Sequence, residues 1–212
     1  MVMIKINKGK VPPKFYEIKS DCNNYDELHS DQKEKLKSIL IDEQNGRCAY
    51  CNCRIRMESA TIEHYIPRHG ANGDASKSLD YNNLFVVCNT TRKCTLDKQT
   101  CDVKKGDQLL SIDPRIQTHI DTIKYDKRGK IGSYNNVYDD DINIKLNLNS
   151  QTLIRNRYSA YDSLISSMER KKPGRWSKEY VQRTLNSFME ADNRTPYVGF
   201  LIYQLQHLLK RF

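Results

Sequence analysis

The sequence predicts an α+β protein in which a small cysteine-rich core precedes a helical C-terminal region. Six of the seven cysteines lie between positions 48 and 101, and the short apolar runs of that stretch are typical of strands. Beyond position 150, apolar residues recur at helical spacing instead. The 212 residues suffice for one elaborated domain or two small ones.

The composition indicates a basic, rather polar chain. It carries 35 Lys and Arg against 26 Asp and Glu, a formal net charge of +9, which favours polyanionic partners. The odd, clustered cysteines argue against a secreted disulfide framework. The start lacks the apolar run of a signal peptide, and the longest apolar stretch, near 197–209, is too short and polar to cross a bilayer. We therefore expect a cytoplasmic protein.

We expect three regions along the chain: an extended N-terminal arm, a core, and a C-terminal region that joins a hairpin to mainly helical structure. Their expected bounds are 1–29, 30–113 and 114–212. In the arm, Pro12-Pro13 is expected to exclude helix, and the segment Met3-Ile4-Lys5-Ile6 is expected to pair as a short strand.

The core is expected to begin with a helix from Ser30 to about Asn45. Ser30 or Asp31 is the expected N-cap, and Asn45-Gly46 supplies a left-handed stop. The order strand, loop, strand, loop, helix follows. The expected spans are Ala60-Thr61-Ile62 leading into Glu63-His64, a polar loop over 68–80, Leu84-Phe85-Val86-Val87, an inserted polar loop over 89–100, and a helix from Asp102 to about Leu110.

The C-terminal region is predicted to start with a hairpin of Ile123-Lys124-Tyr125 and Lys130-Ile131-Gly132. Asp139–Asp141 is expected to be a solvated acidic turn. Three helices should follow, with apolar stripes that belong to the core or to a partner-binding face. Their expected spans are Ser150 to about Arg170, Ser177–Ala191, and Pro196 to the C-terminus.

The cysteines predict a structural metal site. Cys48 and Cys51 are three positions apart, a spacing that lets two thiolates in one turn bind the same zinc ion. Cys88 and Cys101 are the expected second pair, since they lie at the two ends of the second strand-to-helix connection. Cys53 and Cys94 remain alternative ligands. Four thiolates would form a closed structural site with no position for water.

Between the two cysteine pairs lie the residues of a candidate phosphodiesterase site. Glu63 and His64 are adjacent at a strand end, so one side chain can hold a cation while the other faces a water. Asp102 could supply a second oxygen ligand, because carboxylates suit Mg²⁺ or Mn²⁺. Asn83, or else Asn82, could hold His64 in its working orientation.

Basic residues suggest where phosphate would bind. Lys104 and Lys105 follow Asp102, and Arg68 and His69 lie in the polar loop after Pro67. Residues 150–185 carry eight basic groups against three acidic ones, which predicts contact with a nucleic-acid backbone or an acidic partner. The eight are Arg155, Arg157, Arg170, Lys171, Lys172, Arg175, Lys178 and Arg183.

Taken in order, these motifs resemble the HNH (ββα-metal) endonucleases. The order is Cys-x-x-Cys, Glu-His-x-x-Pro, Asn-Leu, Cys, then Cys-Asp-x-x-Lys-Gly, over about residues 47–110. The resemblance implies a zinc-stabilised ββα-metal core with zinc on Cys48, Cys51, Cys88 and Cys101.

By the same resemblance, His64 is the general base, Asn83 orients it, and Glu63 and Asp102 bind the catalytic Mg²⁺ or Mn²⁺. Two features depart from the family's pattern. The last ligand position is Asp102 where the family often has Asn or His, and the Cys88-to-Cys101 spacing is long. Asn89 therefore stays an alternative to Asp102.

A narrower resemblance covers more of the chain. Cys-Ala-Tyr-Cys, Leu-Asp-Tyr-Asn-Asn-Leu and Leu146-Asn147-Leu148-Asn149 are similar to the nuclease subunits (PtuB) of Septu-type and retron-associated anti-phage systems. This resemblance implies a partner ATPase of the SMC/ABC type (PtuA-like), and a retron reverse transcriptase with its DNA as a further partner. It also implies that cleavage is held in check until infection.

The sequence thus predicts a metal-dependent HNH endonuclease acting on DNA or transfer RNA, as the effector of an anti-phage defence complex. The alternative is a zinc-stabilised nucleic-acid-binding or assembly module without catalysis. A zinc deaminase is disfavoured, because the order His-x-Glu with Pro-Cys-x-x-Cys is absent from the sequence.

Overall fold

The computed structural model describes residues 4–190 and 193–212, and it combines helices with two small antiparallel sheets, as the α+β prediction requires. Met3 of the predicted first strand and Ala191 of the predicted second C-terminal helix lie outside the described residues. The helices are α1 (Pro13–Ile18), α2 (Ser30–Glu43), α3 (Cys101–Lys105), α4 (Gln117–Ile120), α5 (Asn136–Asp140), α6 (Gln151–Lys171), α7 (Lys178–Phe188) and α8 (Val198–Leu209), and the strands are β1 (Ala60–His64), β2 (Leu84–Cys88), β3 (Ile123–Tyr125) and β4 (Ile131–Ser133).

The N-terminal arm is partly helical, so the prediction that Pro12-Pro13 excludes helix is wrong. Pro13 is the first residue of α1, a position where the missing N–H costs nothing and the fixed φ suits a helix. Residues Ile4–Ile6 form no strand; the Ile6 N–H donates instead to the Pro114 carbonyl at 2.9 Å.

Helix α2 confirms the predicted first core helix and its left-handed stop. Asn45 and Gly46 have φ of 53° and 65°, and the Gly46 N–H donates to Ile41. The N-cap is His29 rather than Ser30 or Asp31, because the Gln32 side chain accepts from the His29 N–H at 2.7 Å.

The predicted strand–strand–helix order of the core is confirmed. β1 and β2 pair antiparallel, with Ala60 opposite Cys88 and His64 opposite Leu84. All five β2 residues are buried. Helix α3 packs on β2 and is shorter than predicted, since Gly106, with φ of 54°, ends it.

The hairpin of β3 and β4 forms as predicted, but Asp139–Asp141 is not a solvated turn. Asp139 and Asp140 belong to α5, and Asp141 begins a π-helix over Asp141–Lys145. Asp141 is fully buried because its carboxylate accepts from the Ser111 and Ile112 N–H groups and pairs with Lys145 at 2.7 Å.

The three C-terminal helices are present with small shifts in their bounds. Ser150 and Ser177 cap α6 and α7, each accepting from a backbone N–H of the first turn. Helix α8 begins at Val198 rather than at Pro196, since Tyr197 has left-handed backbone, with φ of 56°. Among the described residues, no helix is both long and apolar enough to span a bilayer.

Two apolar clusters hold the fold together. The larger one takes buried residues from all three predicted regions, among them Phe15, Leu36, Phe85 and Phe200. The smaller one lies between the end of α6, α7 and α8, and Val181 and Leu205 are fully buried in it. The β1–β2–α3 unit is therefore covered by segments on both sides of it in the chain.

Replacing Asp141 by Asn should lower the free energy of unfolding by about 2 kcal/mol, because a buried carboxylate that accepts two backbone N–H groups loses its charge. Urea unfolding at pH 7 would measure this loss. Asp140→Asn, at an exposed neighbouring position, is the matched control. Equal unfolding midpoints for the two variants would contradict the structural role of Asp141.

Candidate metal centre and active site

Four buried cysteines bring their sulfur atoms together, and they are the four predicted to share a metal ion. Their sulfur atoms all lie within 4.8 Å of one another. Three of the separations are 3.6 Å (Cys88–Cys101), 3.7 Å (Cys51–Cys88) and 3.8 Å (Cys48–Cys101). Tetrahedral zinc with Zn–S bonds of about 2.3 Å requires sulfur separations of about 3.8 Å. The group could therefore hold a structural metal ion.

Three elements supply these ligands. The Cys48–Cys51 turn closes through the Asn52 N–H, which donates to Cys48, and it docks on β2 through the Ala49 N–H, which donates to Val86 at 3.1 Å. Cys88 is the last residue of β2. Cys101 begins α3 with a left-handed φ of 57°, and its N–H donates to the Leu146 carbonyl. That bond holds an unusual backbone conformation for a non-glycine residue.

The alternative ligands are not members of this four-sulfur group. Cys53 is half-buried just after the turn, with its thiol in contact with the cluster, whereas Cys94 is exposed in the loop between β2 and α3. An exposed thiol at a loop tip lacks the enclosed environment of a structural metal ligand.

Glu63 lies at the end of β1 in an enclosed, charged environment. Its Oε1 accepts from the Tyr50 hydroxyl at 2.9 Å and lies 2.7 Å from the Lys105 ammonium. Burial raises the pKa of Glu63 to about 8, Lys105 opposes this shift, and the nearby Asp102 carboxylate adds to it. A buried carboxylate that resists ionisation, with a second carboxylate nearby, is a donor set that a divalent cation would stabilise.

His64 follows Glu63 and is 8% exposed. Its Nε2 lies 2.9 Å from the Ser78 carbonyl oxygen, and the Tyr25 ring meets it edge to face at 4.8 Å. A carbonyl oxygen only accepts, so Nε2 carries the proton and Nδ1 carries the lone pair. Burial lowers the pKa of His64 to about 4, which keeps the ring neutral near pH 7.

The Asn83 side chain forms hydrogen bonds at both ends of the loop that follows β1. Its Oδ1 accepts from the Ile66 N–H at 2.7 Å, and its Nδ2 donates to the Ile66 and Lys77 carbonyls. Lys77 precedes Ser78, whose carbonyl accepts from His64. Asn83 is thus placed to act on His64 through the loop, and an orienting role stays a prediction. Asn82 is exposed beside it.

Asp102 is the second residue of α3, and its side chain is 23% exposed. Its carboxylate lies 3.9 Å from the Arg92 guanidinium. Asn89, the alternative to Asp102, follows β2 and donates its N–H to the Ser59 carbonyl at 3.1 Å, which prolongs the β1–β2 pairing. The charge of Asp102 acts on Glu63, and this places it beside that carboxylate.

The predicted phosphate-binding residues lie in different surroundings. Lys105 is 1% exposed and neutralises Glu63 instead of facing solvent. Lys104 is half-buried and donates to the Leu96 carbonyl. Arg68 stacks on the Tyr25 ring at 4.8 Å and pairs with Asp26. His69 is exposed, with Nε2 4.0 Å from the Asp26 carboxylate.

Two contacts of the candidate site were not predicted, although the sequence carries a signal for each. Tyr50 lies between the paired cysteines Cys48 and Cys51, so the turn that gathers them also directs its hydroxyl inward. Lys105 follows Cys101 by four positions, which places both on one face of a helix. A lysine that shares a helix face with a buried cysteine is itself expected to be buried, and it is therefore a candidate for a buried ion pair.

Of the eight basic residues in 150–185, Arg157 does not belong to the surface. It is 1% exposed, and its Nε donates to the Gly129 carbonyl at 2.6 Å. Expecting it to contact a partner is therefore wrong, because it ties α6 to the β3–β4 turn. The other seven are exposed.

The pKa of His64 gives a test by pH titration. The pKa of His64 is about 4 in the folded protein, below its ordinary value of 6.5. The stability that the neutral ring contributes is therefore complete above pH 6.5 and is lost as pH falls through 4. We expect ¹⁵N-detected NMR, with the signal assigned through His64→Gln, to show a neutral ring with the proton on Nε2 at pH 5.5. Titration near pH 6.5 would contradict the buried environment.

Comparison with known proteins finds two relatives of modest similarity. One is a Vibrio cholerae protein named "Retron Vc95 putative HNH endonuclease", 25% identical over 119 residues that make up 53% of this chain and 57% of the relative. The other is the Septu protein PtuB of Bacillus thuringiensis, 31% identical over 105 residues, which are 46% of this chain and 37% of the relative.

The alignments thus span between about a third and three fifths of each relative's length. No protein-family model matches the chain. Both relatives agree with the resemblance found in the motifs of residues 47–110. The chain is similar to a retron protein named as an HNH endonuclease and to the Septu protein PtuB.

Proposed function

We propose that the chain is a metal-dependent HNH endonuclease that hydrolyses phosphodiester bonds, with DNA as the favoured substrate and transfer RNA as the second. One observation carries the proposal. A neutral histidine, whose Nδ1 holds a lone pair, directly follows Glu63 in β1, and the Asp102 carboxylate acts on Glu63, all on a β1–β2–α3 unit that carries four buried cysteines. General-base hydrolysis of a phosphodiester needs this combination.

His64 acts as the general base in this proposal. Nδ1 takes a proton from the water that attacks phosphorus, while Nε2 keeps its hydrogen bond to the Ser78 carbonyl. That bond fixes the ring plane and the tautomer throughout the proton transfer. The same carbonyl favours the imidazolium that results, because a charged N–H donates a stronger hydrogen bond than a neutral one.

Glu63 and Asp102 would hold the Mg²⁺ or Mn²⁺. When bound, this ion supplies positive charge to the phosphorane and to the leaving oxygen. Tyr50 and Lys105 both contact Oε1 of Glu63, so Oε2 is the atom available to the ion. Lys105 also helps keep the carboxylate ionised in a site whose burial opposes the charge.

Zinc is the proposed ion of the four-cysteine group. Four buried thiols match its preference for sulfur in a closed tetrahedron, and the sulfur separations match its size. In this role the ion joins the Cys48–Cys51 turn to β2 and α3 and takes no part in hydrolysis.

The similarity to a Septu protein and a retron-associated protein supports a role as the effector of a cytoplasmic anti-phage complex. The proposed partners are an SMC/ABC-type ATPase (PtuA-like) and, in a retron setting, a reverse transcriptase with its DNA. The seven exposed basic residues of 150–185 offer a surface for one of these partners or for the nucleic acid.

Loss of zinc should unfold the core, because a structural zinc ion contributes folding free energy directly. We expect Cys48→Ser to reduce bound zinc, measured by mass spectrometry under native conditions. It should also lower the melting temperature by about 10 °C or more, because zinc binding contributes several kcal/mol to the folding free energy. Cys94→Ser, at an exposed thiol, is the matched control. An equal zinc content in the two variants would contradict the ligand set.

Nuclease activity is tested by comparing wild type with His64→Ala on plasmid DNA, single-stranded DNA and bulk transfer RNA, with Mg²⁺, Mn²⁺ or chelator. We expect metal-dependent cutting that falls by at least about 100-fold in His64→Ala, the usual contribution of a general base. His207→Ala, an exposed histidine on α8, should cut like wild type.

If folded, zinc-loaded wild type does not cut, the assay is repeated with the co-encoded ATPase. Cutting that appears only then would keep the proposal and make the ATPase an activator. Absence of cutting in both assays would favour the non-catalytic binding module.

A further inference from the structure

The loop between β2 and α3 is held in a fixed position beside the candidate active site. This β2–α3 loop comprises residues 89–100. Its base is closed by Thr91, whose hydroxyl oxygen accepts from the Thr100 N–H at 3.0 Å. From the far side, the Asn147 amide donates to the Asp97 and Gln99 carbonyls at 2.9 Å each. The loop is therefore fixed at its base and near its tip.

The loop also contacts α3. The Lys104 ammonium donates to the Leu96 carbonyl at 3.4 Å, and the Arg92 guanidinium lies 3.9 Å from the Asp102 carboxylate. Arg92 nevertheless keeps 61% of its side chain exposed. It therefore stands at the rim of the site, with one edge towards Asp102 and the rest towards solvent.

The exposed face of the loop is basic. Arg92, Lys93 and Lys98 are all exposed, and Asp97 is the acidic residue among positions 89–100. Three cations within seven positions, held on a loop whose position is fixed, suit successive phosphates of a nucleic-acid strand.

Leu96 stands at the tip between these cations and is 74% exposed, the largest exposed fraction among the large apolar side chains that the structure describes. An apolar side chain in that position can contact the sugars or bases of a strand whose phosphates the cations hold.

We propose that the β2–α3 loop is a nucleic-acid-binding element of the site, in which Arg92, Lys93 and Lys98 contact backbone phosphates next to the scissile bond and Leu96 contacts the adjoining nucleotide. This inference rests on the proposed function for its substrate, and it adds the residues that position that substrate. Arg92 connects the loop to the reacting groups, since its guanidinium lies 3.9 Å from the Asp102 carboxylate.

The test measures binding rather than cutting. In a His64→Ala background, fluorescence anisotropy would follow a labelled 20-base-pair duplex and a single strand between about 50 and 200 mM salt. Replacing Arg92, Lys93 and Lys98 together by Ala should weaken binding about tenfold or more and reduce the slope of log affinity against log salt by about 2.7 on duplex DNA, or 0.9 for each lost phosphate contact.

The matched control is a triple alanine variant of Lys127, Arg128 and Lys130. These residues are three exposed cations on the β3–β4 turn, which packs against α6. The control should keep the parent's salt slope. Leu96→Ala should weaken binding severalfold with the slope unchanged, and Leu96→Met should retain binding, because an apolar contact releases no counterions.

Equal slopes for the loop variant and the control would overturn the inference, and so would the absence of nucleic-acid binding by the parent. A loop variant that loses an acidic protein partner while keeping its affinity for DNA would overturn it too. If wild type cuts nucleic acid while the loop variant keeps the parent's salt slope, the proposed nuclease function stands and the proposed role of the loop is refuted. A reduced slope, with no cutting by wild type either alone or with the ATPase, would support the loop and refute the nuclease.

Discussion

Convergence of four buried cysteines on one point is the constraint on which the candidate site depends. Buried thiolates repel one another unless a cation lies between them, so the cluster is stable only as a metal site or as a set of protonated thiols. It joins a turn, a strand end and a helix start. Helix α3 spans only Cys101–Lys105, and a five-residue helix does not persist alone in water. The placement of Asp102 and Lys105 therefore depends on that of Cys101.

Burial acts with opposite signs on the two adjacent residues at the end of β1. It raises the pKa of Glu63 to about 8 and lowers that of His64 to about 4, because each environment penalises the charged form. Lys105 forms an ion pair with Glu63, whereas the Ser78 carbonyl accepts a hydrogen bond from His64. A carboxylate in need of a cation and a histidine that stays neutral thus occur side by side. That separation suits metal binding by one residue and proton transfer by the other.

Local patterns of spacing and alternation were enough to predict the β1–β2–α3 order, the β3–β4 hairpin and the Cys48–Cys51 pair. The second cysteine pair was also predicted correctly, with Cys53 and Cys94 left as alternatives, and the family resemblance implied the full set. The failures at Asp141 and Arg157 depended on distant partners. The sequence predicts that Asp141 is exposed, whereas in the fold it is buried and accepts from the Ser111 and Ile112 N–H groups. Arg157 is predicted to be a surface cation, whereas in the fold it is buried and donates to the Gly129 carbonyl. The Glu63–Lys105 pair likewise required the fold, because 42 positions separate the two residues.

These distant contacts also show that the candidate site is not confined to residues 47–110. The Leu146 carbonyl accepts from the Cys101 N–H and supports its left-handed backbone. The next residue, Asn147, holds the β2–α3 loop through two carbonyls. Asp141, five positions before Leu146, accepts from the Ser111 and Ile112 N–H groups in the segment that follows α3. One short segment thus supports a cysteine of the cluster, the neighbouring loop and the exit from the helix, which makes it part of the site's framework rather than a connection to the C-terminal helices.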